Sequence, residues 1–401
     1  MDNARAMTRF RVAVIGKGMI GSAAARHLAR QVDGVALIGP DEPAVRRDHH
    51  DVFGSHYDEG RIYRILDGDE IWGRLAERSI ARYAEIEADS GIRFHEEVGM
   101  LAATAKPVPG DFVEAYARTG EALGQAFDRL STAELVRRFP YLSFGPDALG
   151  VFEPRRAGHL SPRRLVTAQT IAAERRGATV IREPVHALTA APDGVEITTV
   201  SGRVLRAERA LVATGAFANV HDVLPRPLAI TVRGRTIVLA EVVGATRTRL
   251  SSMPSVIAGG TAPLDDPYVL PPIEYPDGRS YVKLGTGEFE HPLVTLADMM
   301  DWFQHPGATE DRDALRRTLV SLIPEMDGAP IRTDTCAVTA TVSGYPYVDL
   351  IAEGRFGIAV GGNGKAAKSS DEIGRLGAEL VLAGEWRDDL PAEAFRARFA
   401  D

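Results

Sequence analysis

The chain of 401 residues has a single cysteine, no excess of positive charge and no long apolar run. One thiol, Cys336, cannot form an internal disulfide or a zinc or iron–sulfur site built from several thiolates. The formal net charge of −8 argues against nucleic acid as a partner, because phosphate binding requires a positive surface. No segment approaches the roughly 20 apolar residues that cross a bilayer, and the first residues lack the apolar core of a signal peptide. We therefore expect a cytoplasmic protein with no membrane partner.

Near the amino terminus the sequence predicts a strand, a glycine turn and a helix in succession. The apolar run RVAVI leads into GKGMIG and then into the alanine-rich stretch SAAARHLARQ. Gly16 is expected to allow the sharp turn, Gly18 to let backbone N–H groups approach a pyrophosphate, and Gly21 to bring the helix close to the strand. The helix start, with Met19 and Ile20, offers free N–H donors to an anion. The unit predicts an α/β fold and a dinucleotide ligand.

The second strand, VALI, departs from the usual dinucleotide pattern at its end. The position where an acidic residue normally holds the ribose is occupied by Gly39. Either Asp41 or Glu42 substitutes from the following loop, or the ribose is held less tightly. Asp41 is the residue that we assign to cofactor binding.

A second glycine turn lies near the carboxyl terminus. The apolar run FGIAV leads into GGNG at 361–364 and then into a helical segment that begins KAAKSSDEIG. Two glycine turns at strand–helix junctions, at opposite ends of the chain, predict one elongated ligand that is held at both of its ends. Between them, turns at 193–194 and 201–202 predict a β-hairpin that ends near Gly215, and Ser161 with Pro162 predicts a helix start.

Five segments together resemble the flavin-dependent amine oxidases of the monomeric sarcosine oxidase type, within the D-amino-acid oxidase group. The resemblance runs end to end and rests on the first glycine turn, GSHYDEGRIYR at 54–64, YVKLG at 281–285, TCAVTATVSGYPYVDL at 335–350 and GGNGKAAKSS at 361–370. It implies a Rossmann-like FAD-binding domain and a second, antiparallel-sheet substrate domain, the fold shared by D-amino-acid oxidase and glutathione reductase. We assign residues 1–85, 150–222 and 335–401 to the first domain, and 86–149 and 223–334 to the second.

The resemblance also implies roles for individual side chains. Lys283 matches a lysine that stabilises negative charge when reduced flavin reacts with oxygen; the alternative is a solvated lysine on an outward sheet face. Cys336 matches a cysteine bonded to the flavin, and the alternative is a small buried thiol. Arg64 and Lys368 match the pair that binds the substrate carboxylate, and Arg61 lies nearer the flavin. The arginines could instead pair with Asp or Glu on a solvated face. The expected FAD contacts are Gly16, Gly18, Met19, Ile20, Gly21, Asp41, Gly54, Ser55, Arg61, Val185, Thr214, Gly215, Cys336, Gly361, Gly362, Asn363, Gly364, Lys365 and Lys368.

The expected activity is FAD-dependent oxidation of a secondary or N-methyl amine, with oxygen reduced to hydrogen peroxide. An amino acid is the favoured substrate. Alternatives are a D-amino-acid or glycine oxidase, a flavin dehydrogenase with another acceptor, a flavin-free NAD(P) reductase, and a catalytically silent nucleotide-binding protein. We expect a substrate other than sarcosine itself, since Val338 stands where the sarcosine oxidases carry a tyrosine. The histidines of HHDVFGSH match no metal-binding spacing, so we expect no metal. We expect a monomer or a small homo-oligomer.

Overall fold

The computed structural model describes residues 9–400, apart from the side chain at 353. Twenty strands occur in this part of the chain. In chain order they are β1 (Arg9–Ile15), β2 (Val35–Ile38), β3 (Arg61–Tyr63), β4 (His95–Glu96), β5 (Met100–Thr104), β6 (Asp128–Leu130), β7 (Leu149–Glu153), β8 (Gly158–Leu160), β9 (Thr179–Ile181), β10 (Val185–Ala191), β11 (Gly194–Thr199), β12 (Val204–Val212), β13 (Ile230–Glu241), β14 (Ser255–Gly259), β15 (Pro267–Glu274), β16 (Ser280–Thr286), β17 (His291–Pro292), β18 (Ile331–Thr341), β19 (Tyr347–Ile351) and β20 (Phe356–Val360).

Eleven α-helices connect and cover these strands within the described residues. They are α1 (Met19–Ala29), α2 (Glu70–Ile80), α3 (Tyr83–Ser90), α4 (Phe112–Ala122), α5 (Thr132–Arg138), α6 (Pro162–Arg175), α7 (Gly244–Leu250), α8 (Leu296–Gln304), α9 (Asp311–Leu322), α10 (Ala366–Ala383) and α11 (Ala392–Phe395). The predicted start of α6 is confirmed: Ser161 caps the helix and accepts a hydrogen bond from the backbone N–H of Arg164 at 3.1 Å, with Pro162 in the first turn.

The first large sheet has eight strands and is organised around β12. The strands β9, β2, β1 and β12 run parallel, and β20 adds to the carboxyl half of β12 in the same direction. The amino half of β12 pairs antiparallel with β11, and β11 pairs with β10, which is the predicted hairpin. Because β1, β12 and β20 are parallel, the segments that follow them lie at one edge of the sheet.

Two helices bring the ends of the chain together on this sheet. Helix α1 follows β1, helix α10 follows β20, and the two pack against each other. Their approach is close because Gly374 lies at the crossing: a Cβ there would be 2.7 Å from the Cβ of Ala23 and from the carbonyl oxygen of Ile20. The two glycine turns, which precede these helices, therefore lie at the same edge of the sheet.

The second large sheet has nine strands and is mostly antiparallel. Its order is β17-β13-β16-β15-β14-β5-β7-β6, and β18 pairs with β13 from Ile230 to Ala240. Apolar side chains from β5, β13, β14 and β16 form its core with helix α9, including Leu101, Val238 and Leu319. A small third sheet has the order β3-β8-β4. Strands β3 and β8 belong to the predicted FAD-binding domain, and β4 belongs to the predicted substrate domain. Strands β7 and β18 cross the predicted boundaries at 150 and 335, and the domain boundaries themselves stay a prediction.

None of the helices between residues 9 and 400 combines the length and the apolar character needed to span a membrane.

Candidate active site

A cavity of about 550 Å³ opens where the carboxyl edge of the first sheet meets β13, β15, β16 and β18 of the second. Both glycine turns, the loop at 52–57 and the ends of β12 and β16 contribute to its wall. Of the predicted FAD contacts, all except Gly21 and Asp41 line this cavity. The structure thus gathers residues from both ends of the chain around one elongated space.

The first glycine turn leaves room for a ligand at one position only. Gly16 has a φ of +105°, and a Cβ there would be 2.5 Å from the carbonyl oxygen of Ala213. A Cβ at Gly21 would collide with the Gly16 carbonyl, so Gly21 has the predicted packing role behind the wall. At Gly18 the nearest atom to a Cβ would be His56 Nδ1, 3.9 Å away. Gly18 also caps α1 without a side-chain hydrogen bond, so the helix N–H groups are free for an anion.

The structure does not place Asp41 at the cavity. Its carboxylate pairs with Lys17 at 2.7 Å and with Arg182 at 3.1 Å, and its side chain is about half exposed. Lys17 is the residue that lines the wall here. An acidic residue does not fit at Gly39, because a Cβ would lie 2.6 Å from the backbone nitrogen of Lys17. The steric conflict accounts for the glycine at this position, and the assignment of Asp41 to cofactor binding stays a prediction.

The second glycine turn forms the opposite wall. The backbone N–H of Asn363 donates to the carbonyl of Thr339 at 2.8 Å. The Asn363 side-chain oxygen accepts from the backbone N–H of Thr341 at 2.9 Å. These two bonds fix the turn against β18. Helix α10 then starts after Lys365 without a side-chain cap. Its positive end and the backbone N–H groups of the turn favour a negatively charged ring edge.

Cys336 lies on the cavity wall in β18. Residue Cys336 is 8% exposed, and the register places it opposite Arg235 of β13. Its carbonyl accepts from Trp302 Nε1 at 3.0 Å, which fixes the backbone but leaves the thiol free. The position suits both readings of this thiol, as an attachment point or as a small apolar group.

Three cations surround a single buried carboxylate on another part of the cavity. Lys368 and Lys365 donate to the two oxygens of Asp67 at 2.8 and 2.7 Å, and Arg64 Nη2 donates to Asp67 at 3.3 Å and to the Tyr116 hydroxyl at 2.8 Å. Asp67 is fully buried. Burial lowers the pKa of Lys368 to about 8, although the Asp67 carboxylate acts in the opposite direction. This cluster, called the cation cluster below, keeps a surplus of positive charge.

One donor of the cation cluster is unused. Arg64 is 8% exposed, lines the cavity, and its Nε has no hydrogen-bond partner among the described residues. A buried guanidinium N–H left unpaired costs free energy, so the site favours a ligand with an acceptor at this point. A carboxylate matches the planar fork of an arginine.

Lys283 lies behind the wall rather than on it. Its Nζ donates to Asp58 Oδ2 at 2.6 Å and to the Gly60 carbonyl at 2.8 Å, and the residue is fully buried. Asp58 also pairs with Arg61 and accepts from the Tyr275 hydroxyl at 2.9 Å. The outward, solvated position considered for Lys283 is therefore wrong, and so is direct exposure of its amine to the cavity. Tyr268, which lines the cavity, has its ring centroid 5.8 Å from Nζ.

Several cavity residues were not predicted from the sequence, because no local pattern distinguishes them from other loop or strand positions. His56 is the clearest: burial, followed by the charge of Lys17, lowers its pKa to about 3, so the imidazole is neutral. The one sequence signal for His56 was its position inside the segment GSHYDEGRIYR, on which the family resemblance rests. The other unpredicted wall residues with polar side chains include Lys17, Tyr116, Arg235, Asp266 and Tyr268.

The cavity fits FAD by three observations of this structure. The open side of Gly18 lies at a free helix N-terminus, as a pyrophosphate requires. The second turn and the start of α10 suit the flavin ring, as described above. Thr214, just after β12, lines the cavity, and its buried hydroxyl Oγ1 has no hydrogen-bond partner in the described part of the chain. Fold and site together define a dinucleotide-binding protein of the flavoenzyme class.

Comparison with known proteins places the chain in a family. Residues 11–380 match the family model described as DAO, FAD dependent oxidoreductase, and the chain belongs to this family. It is an FAD-dependent oxidoreductase. The monomeric sarcosine oxidase of Bacillus sp. (strain B-0618) is 27% identical over 395 residues, covering 96% of this chain and 95% of the relative. The N-methyl-L-tryptophan oxidase of Salmonella arizonae is 25% identical over 212 residues, covering 53% and 55%.

Among solved structures, NikD, an unusual amino acid oxidase essential for nikkomycin biosynthesis, superposes in its open form with a TM-score of 0.76. The sequences are 20% identical, and the match covers 98% of each chain. This likeness confirms the predicted fold.

Proposed function

We propose that the protein oxidises a secondary or N-methyl amine that carries a carboxylate, giving an imine that hydrolyses in water. The observation that carries the proposal is the cation cluster beside the FAD cavity, with a surplus of positive charge and the unpartnered Nε of Arg64. The sarcosine and N-methyltryptophan oxidases in the comparison are named for substrates of this chemical class.

FAD bound in this cavity supplies the acceptor for a hydride from the carbon beside the amine nitrogen, and its reoxidation by oxygen yields hydrogen peroxide. The protein's own part is orientation and electrostatics. Arg64 and Lys368 bind the carboxylate and so hold the reacting carbon in one position, which removes much of the entropic barrier. An amine that binds unprotonated needs no basic side chain. His56, held neutral by burial, adds no charge to the wall.

Arg61 connects the cavity to the buried Lys283–Asp58 pair. It lines the cavity and pairs with Asp58, while its Nη2 donates to the Ser55 carbonyl at 3.1 Å. Two cations around one carboxylate leave a positive charge behind the wall. In the proposed oxidase reaction this charge stabilises the negative charge that develops when oxygen is reduced.

A flavin dehydrogenase that uses another electron acceptor is the second candidate. The observation that favours it is the neutralisation of Lys283 by Asp58 and its position behind Tyr268 and Arg61, which weakens its effect on oxygen. The two candidates differ in peroxide formation alone, since both oxidise the amine.

The decisive experiment is anaerobic mixing of the yellow, FAD-loaded protein with a panel of N-methyl and cyclic amino acids. Bleaching of the flavin by a carboxylated amine, followed by peroxide formation when air is admitted, is expected. Bleaching without peroxide on admission of air supports the dehydrogenase. Bound FAD that no amine bleaches contradicts both candidates, and a colourless protein that takes up no FAD contradicts the site itself.

A further inference from the structure

Asp266 lines the same cavity as the cation cluster and forms no ion pair with any of the described residues. Asp266 immediately precedes β15, and Gly287 immediately follows β16, with Pro267 opposite Thr286 in the antiparallel register. Asp266 and Gly287 both line the cavity. The fit between them is close, because a Cβ at Gly287 would be 2.5 Å from Asp266 Oδ2. The glycine therefore leaves space for the carboxylate at the end of the strand pair.

Asp266 is an exposed residue at the cavity, and its charge is only partly offset by that of Arg235. Within the described residues it forms no ion pair, and the nearby Arg235 is engaged instead with Glu290 at 2.9 Å and with the Phe289 carbonyl. Desolvation raises the pKa of Asp266 above its ordinary value and the neighbouring Glu288 adds to the shift, while the charge of Arg235 opposes it. A cation placed beside Asp266 would relieve this cost.

Tyr116 relates this carboxylate to the cation cluster. Its hydroxyl accepts from Arg64 Nη2 at 2.8 Å. Burial raises the pKa of the same hydroxyl, and the negative charges of Asp67 and Asp266 add to that shift. Tyr116 thus lies within the electrostatic reach of both groups, so one chamber has a positive region at Arg64 and a negative one at Asp266.

We infer that Asp266 binds a second, cationic group of the substrate, so that the substrate class is a carboxylated amine with a distal basic group, such as a diamino carboxylate. The inference rests on the proposed function for the reacting amine. Opposite charges at the two regions fix one orientation: the carboxylate meets Arg64 and the distal cation meets Asp266. The reversed orientation brings like charges together at both regions and is excluded.

Binding without turnover tests this assignment. Isothermal titration calorimetry on the FAD-loaded protein compares 4-aminobutanoate, 5-aminopentanoate and 6-aminohexanoate with alkanoates of the same length. The best amino carboxylate is expected to bind about tenfold more tightly or better than its alkanoate, as a charge pair at an interface implies. In Asp266→Asn this preference should fall below about threefold, while alkanoate affinity is unchanged. Asp265→Asn is the matched control, since Asp265 and Asp266 are both exposed but only Asp266 lines the cavity.

The outcomes separate this inference from the proposed function. Equal binding of both ligand series, or an unchanged preference in Asp266→Asn, overturns the role of Asp266 while amine-dependent bleaching still supports the oxidation. Loss of binding of both series in Arg64→Met, with Asp266→Asn affecting the amino carboxylates alone, supports two separate regions. A preserved amino-carboxylate preference with no bleaching by any amine supports Asp266 and contradicts the proposed reaction.

Discussion

Lys283 Nζ lies 2.6 Å from Asp58 Oδ2, and both side chains are buried beneath the FAD cavity. Burial, together with the positive charge of Arg61, lowers the pKa of Lys283. The Asp58 carboxylate acts in the opposite direction, because a negative charge at this distance favours the ammonium form. Asp58 therefore opposes the effect of burial on the Lys283 amine.

Lys283→Met is expected to slow reoxidation of the reduced flavin by oxygen and to leave its reduction by substrate nearly unchanged. The fold should survive, since Arg61 and Tyr275 still hold Asp58. Stopped-flow measurement of the two half-reactions separates the effects. Reoxidation at the parent rate would remove Lys283 from the oxygen reaction.

The companion variant Asp58→Asn gives a pH readout for the same pair. Without the carboxylate the pKa of Lys283 drops further, so the amine loses its proton as pH rises. Reoxidation by oxygen should then decline with rising pH in Asp58→Asn and stay flatter in the parent protein. Identical pH profiles would show that Asp58 does not control the charge of Lys283.

Arg64→Ala is expected to weaken binding of acetate-type inhibitors by about 2–5 kcal/mol, because a buried, charge-assisted contact is lost. Lys365 and Lys368 continue to neutralise Asp67, so the protein should remain folded. Titration of the flavin absorbance gives the dissociation constants. Arg93→Ala is the control, since the Arg93 side chain is 71% exposed. Unchanged inhibitor binding in Arg64→Ala would contradict the carboxylate assignment.

Cys336→Ser decides how the cofactor is retained. If Cys336 is bonded to the flavin, the parent protein stays yellow after denaturation and precipitation, whereas the variant releases free FAD into the supernatant. The flavin of the variant should also be a weaker oxidant, because a thioether bond to the ring withdraws electrons. Release of FAD from the denatured parent would leave Cys336 as a buried thiol on the wall.

Gly39→Ala tests the steric account of the missing ribose acid. A Cβ at this position meets the backbone nitrogen of Lys17 at 2.6 Å, and backbone atoms cannot move aside without shifting the first glycine turn. FAD affinity should therefore fall by about tenfold or more, the equivalent of about 1.4 kcal/mol. Gly68→Ala is the control, because nothing lies within 4 Å of a Cβ there. Equal FAD affinities in both variants would refute the account.

Acid should destabilise the packing between α1 and α10. Asp371 is fully buried, and the charges of His27, Arg26 and Arg82 hold its pKa well below the usual range. A depressed pKa adds stability at neutral pH that is lost as pH falls below about 5, because the unfolded chain then binds more protons. Burial lowers the pKa of His27, so protonation of this histidine in the unfolded chain also reduces stability as pH falls.

Denaturant unfolding at neutral pH and near pH 4 checks this dependence. Asp371→Asn should cost about 3–5 kcal/mol at neutral pH, since it leaves buried arginines without a counter-charge. It should also flatten the pH dependence of the unfolding free energy. Asp301→Asn, with a side chain 78% exposed, is the control. A parallel pH slope in both variants would exclude Asp371 as the main acid-sensitive group.

The elements with local signals were predicted well from the sequence. The glycine turn that starts at Gly16, the cap at Ser161 and the β10–β11 hairpin each depend on residues within a few positions of one another. The wall residues of the second turn followed from the resemblance and from the strand and helix that the sequence predicts on either side of GGNG.

The partners of charged residues could not be predicted in this way. Asp58 meets Lys283, and Asp67 meets Lys368, across more than 200 residues of sequence. Such pairs depend on how two sheets and two helices come together, and no local pattern encodes that. The pairing of Asp41 with Lys17 was missed for the same reason, because it depends on the close approach of Lys17 to Gly39.

The contact between α1 and α10 at Gly374 joins two segments that lie far apart in the sequence. During synthesis the first glycine turn leaves the ribosome long before the second one, so for much of translation the growing chain has only one of the two. Stable FAD capture must therefore follow synthesis of helix α10. Truncations that remove this helix should yield a protein that cannot retain its cofactor, however well the rest is made.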